Sequence, residues 1–320
     1  MRIAILSRNK NLHSVRRLLQ EAKKQRIQCD VINPLECQLV VDGQQSRILV
    51  GGNELPHYDA ILPRIGASIT EYGLAVVKHF ETLGMYPVNS SWAIAESRNK
   101  MRCLQVLTEA GLLVPPTVLS RSRKGLEPAV RAVKGLPVIL KVLQGTQGVG
   151  VMLLHTPIAL GSVLDTLRGL DQDVIIQQFL AEAAGRDYRV FVVGNKVVAA
   201  MMRTAPEGEF RSNIHRGGEG RLVKLSKEFE KAAIRATQVL GLEIAGVDLM
   251  DSSSGPMILE VNSSPGFEGI ERATGLNIAG TIVRHIKQSA RALHQKKSPS
   301  SRTPRKRAKK STARKTKGRR

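Results

Sequence analysis

Asp248-Leu249-Met250-Asp251-Ser252-Ser253-Ser254-Gly255-Pro256-Met257-Ile258-Leu259-Glu260-Val261-Asn262 sets two apolar runs on either side of a Ser/Gly/Pro cluster, the pattern of two strands joined by a turn. Glu260 and Asn262 are two apart, so on a strand they share a face, while Leu259 and Val261 point the other way. With the turn centred near Ser254, Asp248 falls opposite Glu260, and facing side chains on paired strands have Cβ atoms about 4.5–5.5 Å apart. Two carboxylates that close repel, and nothing basic lies between them in sequence. A hard divalent cation would resolve the repulsion, and oxygen-only donors favour Mg²⁺, or Mn²⁺ in its place, over zinc. The same alternation also describes an ordinary half-buried hairpin with a polar outer face. Taken alone, the stretch leaves both readings open.

Upstream lie three further stretches with chemistry in them. Gly145-Thr146-Gln147-Gly148-Val149-Gly150 falls between expected strands at 137–143 and 151–154, with Lys141 just before it. Glycines there let backbone N–H groups turn toward an anion, and the lysine adds a point charge. No Gly-Lys-Ser/Thr follows and the next element reads as a strand, so this is not a Walker A loop. It is a nucleotide lid of another kind, or a plain hairpin loop. The run Ile175-Ile176-Gln177-Gln178-Phe179-Leu180 is a strand that turns polar at its centre. Its edge could offer backbone groups to adenine, with Asp187 accepting from ribose hydroxyls; a simple buried strand reads equally well. Finally, Arg211, His215 and Arg216 stand beside Gly217-Gly218 in a polar loop. Guanidinium forks suit phosphates and carboxylates, although an exposed basic loop has the same composition. No Ser/His/Asp or Cys/His triad and no zinc-ligand spacing occurs.

The rest of the chain bounds these readings. A chain of 320 residues can hold two or three domains and a large core. No apolar run reaches the roughly 20 residues of a membrane helix, and the short apolar start at 3–6 reads as a first strand rather than a signal peptide. Cys29, Cys37 and Cys103 are odd in number and lack CxxC spacing, which predicts a reduced, cytoplasmic setting. Residues 1–90 alternate strands (3–6, 29–32, 59–62) with helices (12–24, 69–83) and a hairpin (39–41, 48–50), the pattern of a small α/β domain with a parallel sheet. Its first strand-to-helix turn, Ser7 to Asn11, has no glycine, so a dinucleotide fingerprint is absent. Residues 91–185 hold a helix at 89–111 broken near Ser97-Arg98-Asn99, then the glycine lid and its strands. Residues 186–293 hold a hairpin at 188–202, a helix from Ser226 to about 240, the opening hairpin and a helix at 276–293. Residues 294–320 form a basic tail. The formal net charge is +22, and thirteen of the 49 Lys and Arg lie in 296–320 with no acid among them. With Ser, Thr, Pro and Ala between its charges and no aromatics, this tail is expected to be disordered and to bind polyanions without reading bases, or simply to be solvated.

The order of these pieces is more specific than any of them. A lysine, a glycine lid between strands, an adenine-edge strand, an Arg/Asn loop and an Asp…Glu-x-Asn hairpin together resemble the ATP-grasp superfamily of carboxylate–amine ligases. Within it the chain is similar to the RimK family, glutamate ligases acting on the C-terminus of the small-subunit ribosomal protein S-six. The resemblance runs from residue 1 to about 293. It includes Ile3-Ala4-Ile5-Leu6-Ser7-Arg8, Pro63-Arg64-Ile65-Gly66, Gly145-Thr146-Gln147-Gly148, Phe210-Arg211-Ser212-Asn213, His215-Arg216-Gly217-Gly218, Ala245-Gly246-Val247-Asp248 and Glu260-Val261-Asn262-Ser263-Ser264-Pro265-Gly266.

What the resemblance implies is an α/β (α+β) ATP-grasp fold, preceded by a small Rossmann-like domain and followed by the basic tail. It implies Lys100 and Lys141 on ATP phosphates, with Gly145 and Gly148 in the lid. Gln177, Gln178 and Asp187 fall at adenine and ribose, and Arg211, Ser212 and Asn213 on the nucleotide loop, with Arg211 also catalytic. Asp248, Glu260 and Asn262 match the ligands of two Mg²⁺ or Mn²⁺ ions. The family usually carries Gln-Glu where this chain has Gln177-Gln178, which leaves the Gln178 side chain without an assigned role. The implied chemistry is phosphorylation of a carboxylate by ATP and attack of an amine on the acyl phosphate. The implied partners are a ribosomal protein acceptor and free glutamate. RNA contact through the tail, a homo-oligomer and no membrane complete the expectation. Arg64, Arg203 and Arg216 are expected to bind acidic substrate. A ligase acting on a carrier protein or a glutamylated cofactor, and a non-enzymatic nucleic-acid-binding protein, are the competing readings.

Overall fold

The computed structural model describes residues 1–121, 125–143, 150–212 and 218–297, the side chains of residues 296 and 297 excepted. The expectations for Gly145, Gly148, Asn213, Arg216 and residues 298–320 of the tail lie outside the described residues, whereas 294–297, expected to begin the disordered tail, continue the last helix.

The first unit runs β1 (Arg2–Leu6), α1 (His13–Lys24), β2 (Gln28–Ile32), β3 (Cys37–Val40), β4 (Arg47–Val50), β5 (Asn53–Glu54), β6 (Ala60–Pro63) and α2 (Thr70–Thr82). The strands β2-β1-β6 form the expected parallel sheet, and β3-β4-β5 a small antiparallel one. Ile3, Ala4, Ile5 and Leu6 are all buried, as a parallel strand covered on both faces requires. In α1, Val15, Leu18 and Ala22 are buried at helical spacing, and Lys23 and Lys24 close the last turn, where cations suit the helix dipole.

The second unit begins with α3 (Ser91–Arg98) and α4 (Lys100–Glu109). The expected break falls at Asn99, whose Oδ1 accepts from the N–H groups of Met101 and Arg102 at 3.1 and 3.0 Å. One residue thus ends α3 and caps α4, leaving Lys100 at the first position of the new helix. There follow β7 (Thr117–Ser120), α5 (Leu126–Ala132), β8 (Val138–Val142), β9 (Val151–Leu154), α6 (Pro157–Gly169) and β10 (Val174–Gln178), with the antiparallel order β7-β10-β8-β9. Val138, Leu140, Val174 and Ile176 pack on Leu160 and Leu164 of α6. By strand alternation, Lys141 and Gln177 fall on the opposite face. Neither β7 nor α5 was expected; both are short and follow Pro115-Pro116, and α5 carries Pro128 in its first turn, where a proline is tolerated.

The third unit comprises β11 (Arg186–Val193), β12 (Lys196–Thr204), β13 (Glu219–Leu222), α7 (Lys227–Val239), β14 (Ile244–Met250), β15 (Met257–Asn262), α8 (Glu268–Thr274) and α9 (Ile278–Lys297). Its antiparallel sheet has the order β13-β12-β11-β14-β15. Ser226 caps α7 as expected, accepting from the Phe229 N–H. β13 falls mostly in a stretch read as loop and α8 in one given no element, because a four-residue strand with a single apolar residue and a seven-residue helix give too little periodicity to read. One sheet face packs on α7. The other shares a core with α8, α9 and the first unit, joining Phe191, Met201, Phe267 and Ile282 to Ile3, Ile5 and Leu18. Buried Asn89 secures this junction. Its amide donates to the carbonyls of Ile244 and Ser263, both at 2.8 Å, and its oxygen accepts from the N–H groups of Glu243 and Ile244.

The hairpin register is the one its pattern predicts, with Asp248 opposite Glu260 and Gly246 opposite Asn262. How it is reached differs. Nearer the turn, Leu249 pairs with Ile258, and the register shifts between Asp248 and Leu249. Continued without a shift, that pairing would put Asp248 opposite Leu259. A bulge that absorbs Leu259 brings Glu260 onto the face of Asp248.

Candidate active site

Strand register alone assembles a polar stripe across the third sheet. Asp187 faces Arg203, Arg189 faces Asp248, and Asp248 faces Glu260. Arg203, only 5% exposed, grips Asp187 with Nε donating to Oδ1 and Nη2 to Oδ2, both at 2.6 Å, and Nη2 also reaches Asp248 Oδ2 at 2.7 Å. Arg189 makes a second fork on Asp248, Nη2 donating to Oδ2 at 2.7 Å and Nε to Oδ1. Burial alone would raise the Asp248 pKa, but the two guanidinium groups outweigh it and hold the carboxyl down at about 2. Arg203 is raised in turn: burial opposes its charge, and Asp248 and Asp187 overcome it.

This changes the argument for a metal. In sequence nothing basic separates Asp248 from Glu260, yet the fold brings two arginines from β11 and β12 onto Asp248. The repulsion between the facing carboxylates is therefore answered in part by guanidinium, and does not by itself require a cation. An ionised carboxylate has about four lone-pair directions; three guanidinium bonds on Asp248 leave one, on Oδ1. Asn262 Oδ1 accepts from the Ser264 N–H at 2.8 Å and keeps its second lone pair. Glu260 is exposed on β15 and enters no ion pair among the described residues. The protein packed around it and the charge of Asp248 push its carboxyl above the ordinary value, against the pull of Arg189, Lys141 and Arg203. The donor set therefore fits a hard cation, with Glu260 as the free anionic ligand and Asn262 and one Asp248 lone pair as supplements. Among the described residues no three His, Cys, Asp or Glu side chains gather as a metal cage.

The two lysines face this carboxylate. Lys100 Nζ donates to the Leu143 carbonyl at 2.7 Å, and Lys141 Nζ to Gln177 Oε1 at 2.7 Å. Burial lowers both pKa values while Glu260 opposes the shift, and Lys100 lowers Lys141 further. Two desolvated cations thus interact with one exposed carboxylate. The Gln177 side chain is used within the protein: its Nε2 donates to Thr117 Oγ1 at 2.8 Å, and Thr117 Oγ1 to the Pro115 carbonyl at 2.7 Å. Gln177 therefore tethers Lys141. The Gln178 N–H donates to the Pro116 carbonyl at 2.9 Å, and its Oε1 is buried without a partner among the described residues.

Other expected residues sit in protein pairs. Asp187 is held by Arg203. Arg211 is forked on Glu209, with Nη2 donating to Oε2 at 2.7 Å and Nε to Oε1 at 2.9 Å, and stacks on Phe210 with its carbon 5.2 Å from the ring centre. Its Nη1 reaches the carbonyl of Val151, the residue paired with Lys141. The hydrogen bond from Arg211 holds Glu209 down at about 2 despite some burial. Ser212 is buried. Arg203, expected to bind acidic substrate, has its charge consumed by two carboxylates. Sequence reasoning missed Arg189, Glu209 and Thr117. The charged alternation Asp187-Tyr188-Arg189 was a signal for the first; no local pattern marks the others.

Comparison with known proteins agrees with this architecture. Residues 97–286 match the RimK-like ATP-grasp domain and residues 1–94 the RimK pre-ATP-grasp domain. A probable alpha-L-glutamate ligase of Vibrio vulnificus (strain YJ016) is 50% identical over 291 residues, which cover 91% of this chain and 97% of the relative. One from Thioalkalivibrio sulfidiphilus (strain HL-EbGR7) is 47% identical over 291 residues, with the same coverage of both chains. Among solved structures, the ATP-grasp ligase PsnB complexed with minimal precursor, Mg and ADP superposes with a TM-score of 0.71 at 19% identity, covering 90% of this chain and 97% of that one. The D-alanine–D-alanine ligase of Bacillus anthracis complexed with ATP gives 0.66 at 16% identity, covering 93% and 100%. With both family domains matched in order and 50% identity over 291 residues to a relative covered to 97% of its length, the chain belongs to the RimK-like ATP-grasp family of ATP-dependent, amide-forming ligases.

Proposed function

We propose that the protein is an ATP- and Mg²⁺-dependent α-L-glutamate ligase that extends the C-terminus of a ribosomal protein through an acyl phosphate. The observation that carries this reading is the pairing of charges: Lys100 and Lys141, both desolvated, interact with the carboxylate of Glu260, which enters no ion pair among the described residues. The 50% identical relative named as a probable alpha-L-glutamate ligase supports the choice of amine. No nucleophilic triad is needed, because the bond formed joins two substrates. Lys100 and Lys141 would hold the triphosphate, and their lowered pKa values reflect charge kept in a dry site where it acts strongly on phosphate oxygens. Lys141 is pre-positioned by Gln177, so little ordering is left for the moment of reaction. Glu260, with Asn262 and Asp248, would hold Mg²⁺, which when bound neutralises charge on the transferring phosphoryl group. The glycine lid would exclude the water that destroys an acyl phosphate.

The deciding experiment incubates the protein with ATP, Mg²⁺, glutamate and purified ribosomal proteins and reads intact masses. Mass steps of one glutamyl residue on one ribosomal protein are expected. ADP release that depends on another acceptor class, a carrier protein or a cofactor, would replace the ribosomal reading. Glu260→Gln should abolish glutamyl transfer while the thermal melting point is kept or slightly raised, since the fold disfavours that charge; full activity in the folded variant would remove Glu260 from the metal site. The tail 296–320 would serve as an RNA-contacting arm, and its deletion should flatten the salt dependence of RNA binding.

A further inference from the structure

The arginines near the active site do not share one fate. Arg189 and Arg203 are spent on Asp248 and Asp187, and Arg211 on Glu209. Arg64 is different. It follows β6 at the carboxyl end of the parallel sheet, where open α/β sheets place their ligands. Half-buried, it lies over the face of Phe267, 5.8 Å from the ring centre, and its guanidinium has no carboxylate or hydrogen-bond partner among the described residues. Two more guanidinium groups surround the same turn. Arg98 donates to the carbonyls of Gly66, at 3.0 Å, and Ile65. Arg8 Nη2 lies 3.7 Å from where a Cβ on Gly66 would stand. None of the three meets a carboxylate among the described residues. Burial and the charge of Arg98 lower Arg64 to about 10, and burial lowers Arg98 to about 10. Like charges gathered without a counter-ion are costly, and the cost is relieved by an anionic ligand.

The cluster is wired to the phosphate end of the cleft. Ser264 Oγ donates to the carbonyl of Pro63, the neighbour of Arg64, at 3.4 Å, and the Ser264 N–H donates to Asn262. The adjoining Ser263 is 3% exposed, and its Oγ has no partner among the described residues. His13 meets Phe267 edge-on, with ring centres 6.3 Å apart, and its Nδ1 is buried with no partner among the described residues. Two buried polar atoms left unsatisfied, one on the residue adjoining Ser264 and one on the ring that meets Phe267, are of the kind that a polar ligand or its waters complete.

We propose that this junction of the first parallel sheet with the loop after β15 binds the two carboxylates of the acidic amino acid that donates the amine, with Arg64 as the principal contact and Arg8 and Arg98 supplying further charge. This rests on the glutamate-ligase reading for the choice of ligand. A carboxylate that is phosphorylated during turnover changes its charge, whereas those of the amine donor stay ionised throughout. Fixed guanidinium charges suit the second.

The test titrates glutamate calorimetrically into the full chain saturated with a non-hydrolysable ATP analogue and Mg²⁺, in parallel with the KM for glutamate. Arg64→Gln should weaken glutamate binding and raise its KM ten-fold or more, with affinity for the ATP analogue unchanged. Arg64→Lys, which keeps the charge, should recover part of the loss. Glutamine, lacking the second carboxylate, should bind the wild-type protein at least ten-fold more weakly than glutamate. Glutamate affinity within two-fold of wild type in Arg64→Gln, a parallel fall in nucleotide affinity, or no glutamate binding to the wild type would each overturn the site. Glutamyl mass steps with an unchanged KM in Arg64→Gln would sink the site and leave the ligase reading standing. Arg64-dependent binding without any mass step would do the reverse.

Discussion

At the scale of single residues, the site is governed by which charges are already paired. Asp248 is the clearest case, because Arg189 and Arg203 hold its carboxyl at about 2, below the ordinary value near about 4. A carboxyl depressed by folding contributes stability that is present above its unfolded pKa and lost as pH falls toward the folded value. Urea-unfolding stability of the wild type should therefore drop between about pH 4 and pH 2, and Asp248→Asn should flatten that drop. Arg189→Ala leaves a buried carboxylate with one guanidinium in place of two and should cost about 3 kcal/mol, read from the same unfolding curves at pH 7. Gln177 works on a cation in the same way. Replacing it by Leu removes the acceptor that holds Lys141, a hydrogen bond to a charged group of the order of 1.5–3 kcal/mol. The KM for ATP should rise about ten-fold or more, with the KM for glutamate unchanged; equal rises in both would mean a general loss of structure.

At the scale of elements, local sequence was informative wherever an element is long or ends on a marked residue. The break at Asn99 follows from one side chain capping two N–H groups, and it sets Lys100 at the first position of α4. Asn99→Ala should lower stability by about 1 kcal/mol and raise the KM for ATP through Lys100, measured by denaturation and steady-state kinetics. The bulge at Leu259 shows the limit of pattern reading. Alternation placed Asp248 opposite Glu260 correctly, but for a regular hairpin centred on Ser254. The observed hairpin has a different turn register and absorbs one residue to reach the same pairing. Alternation reports which face a side chain takes, not how many residues the partner strand spends getting there. The short elements β7, β13, α5 and α8 went unread because each is held by its neighbours in the sheet or core rather than by its own periodicity.

At the scale of the whole molecule, the first parallel sheet and the last antiparallel sheet share one core. Asn89 closes that junction with both donors and its acceptor oxygen satisfied by backbone groups of the third unit. Asn89→Leu would leave those buried groups unpaired and should cost about 2–4 kcal/mol. It should also weaken glutamate binding more than nucleotide binding, since the Arg64 cluster spans the junction and the lysines do not; unchanged stability would show that the junction rests on apolar contact alone. The sequence by itself determined the family, the order of the units, the hairpin faces and the residue types lining the site, because turn signals and side-chain alternation are local. Only the tertiary structure decided which charges cancel. Asp248 meets Arg189 and Arg203 from 59 and 45 positions away, while Glu260 and Arg64 are left without ionic partners among the described residues. Charge pairing is set by distance in space, and for residues on different strands that distance is settled by sheet order and register.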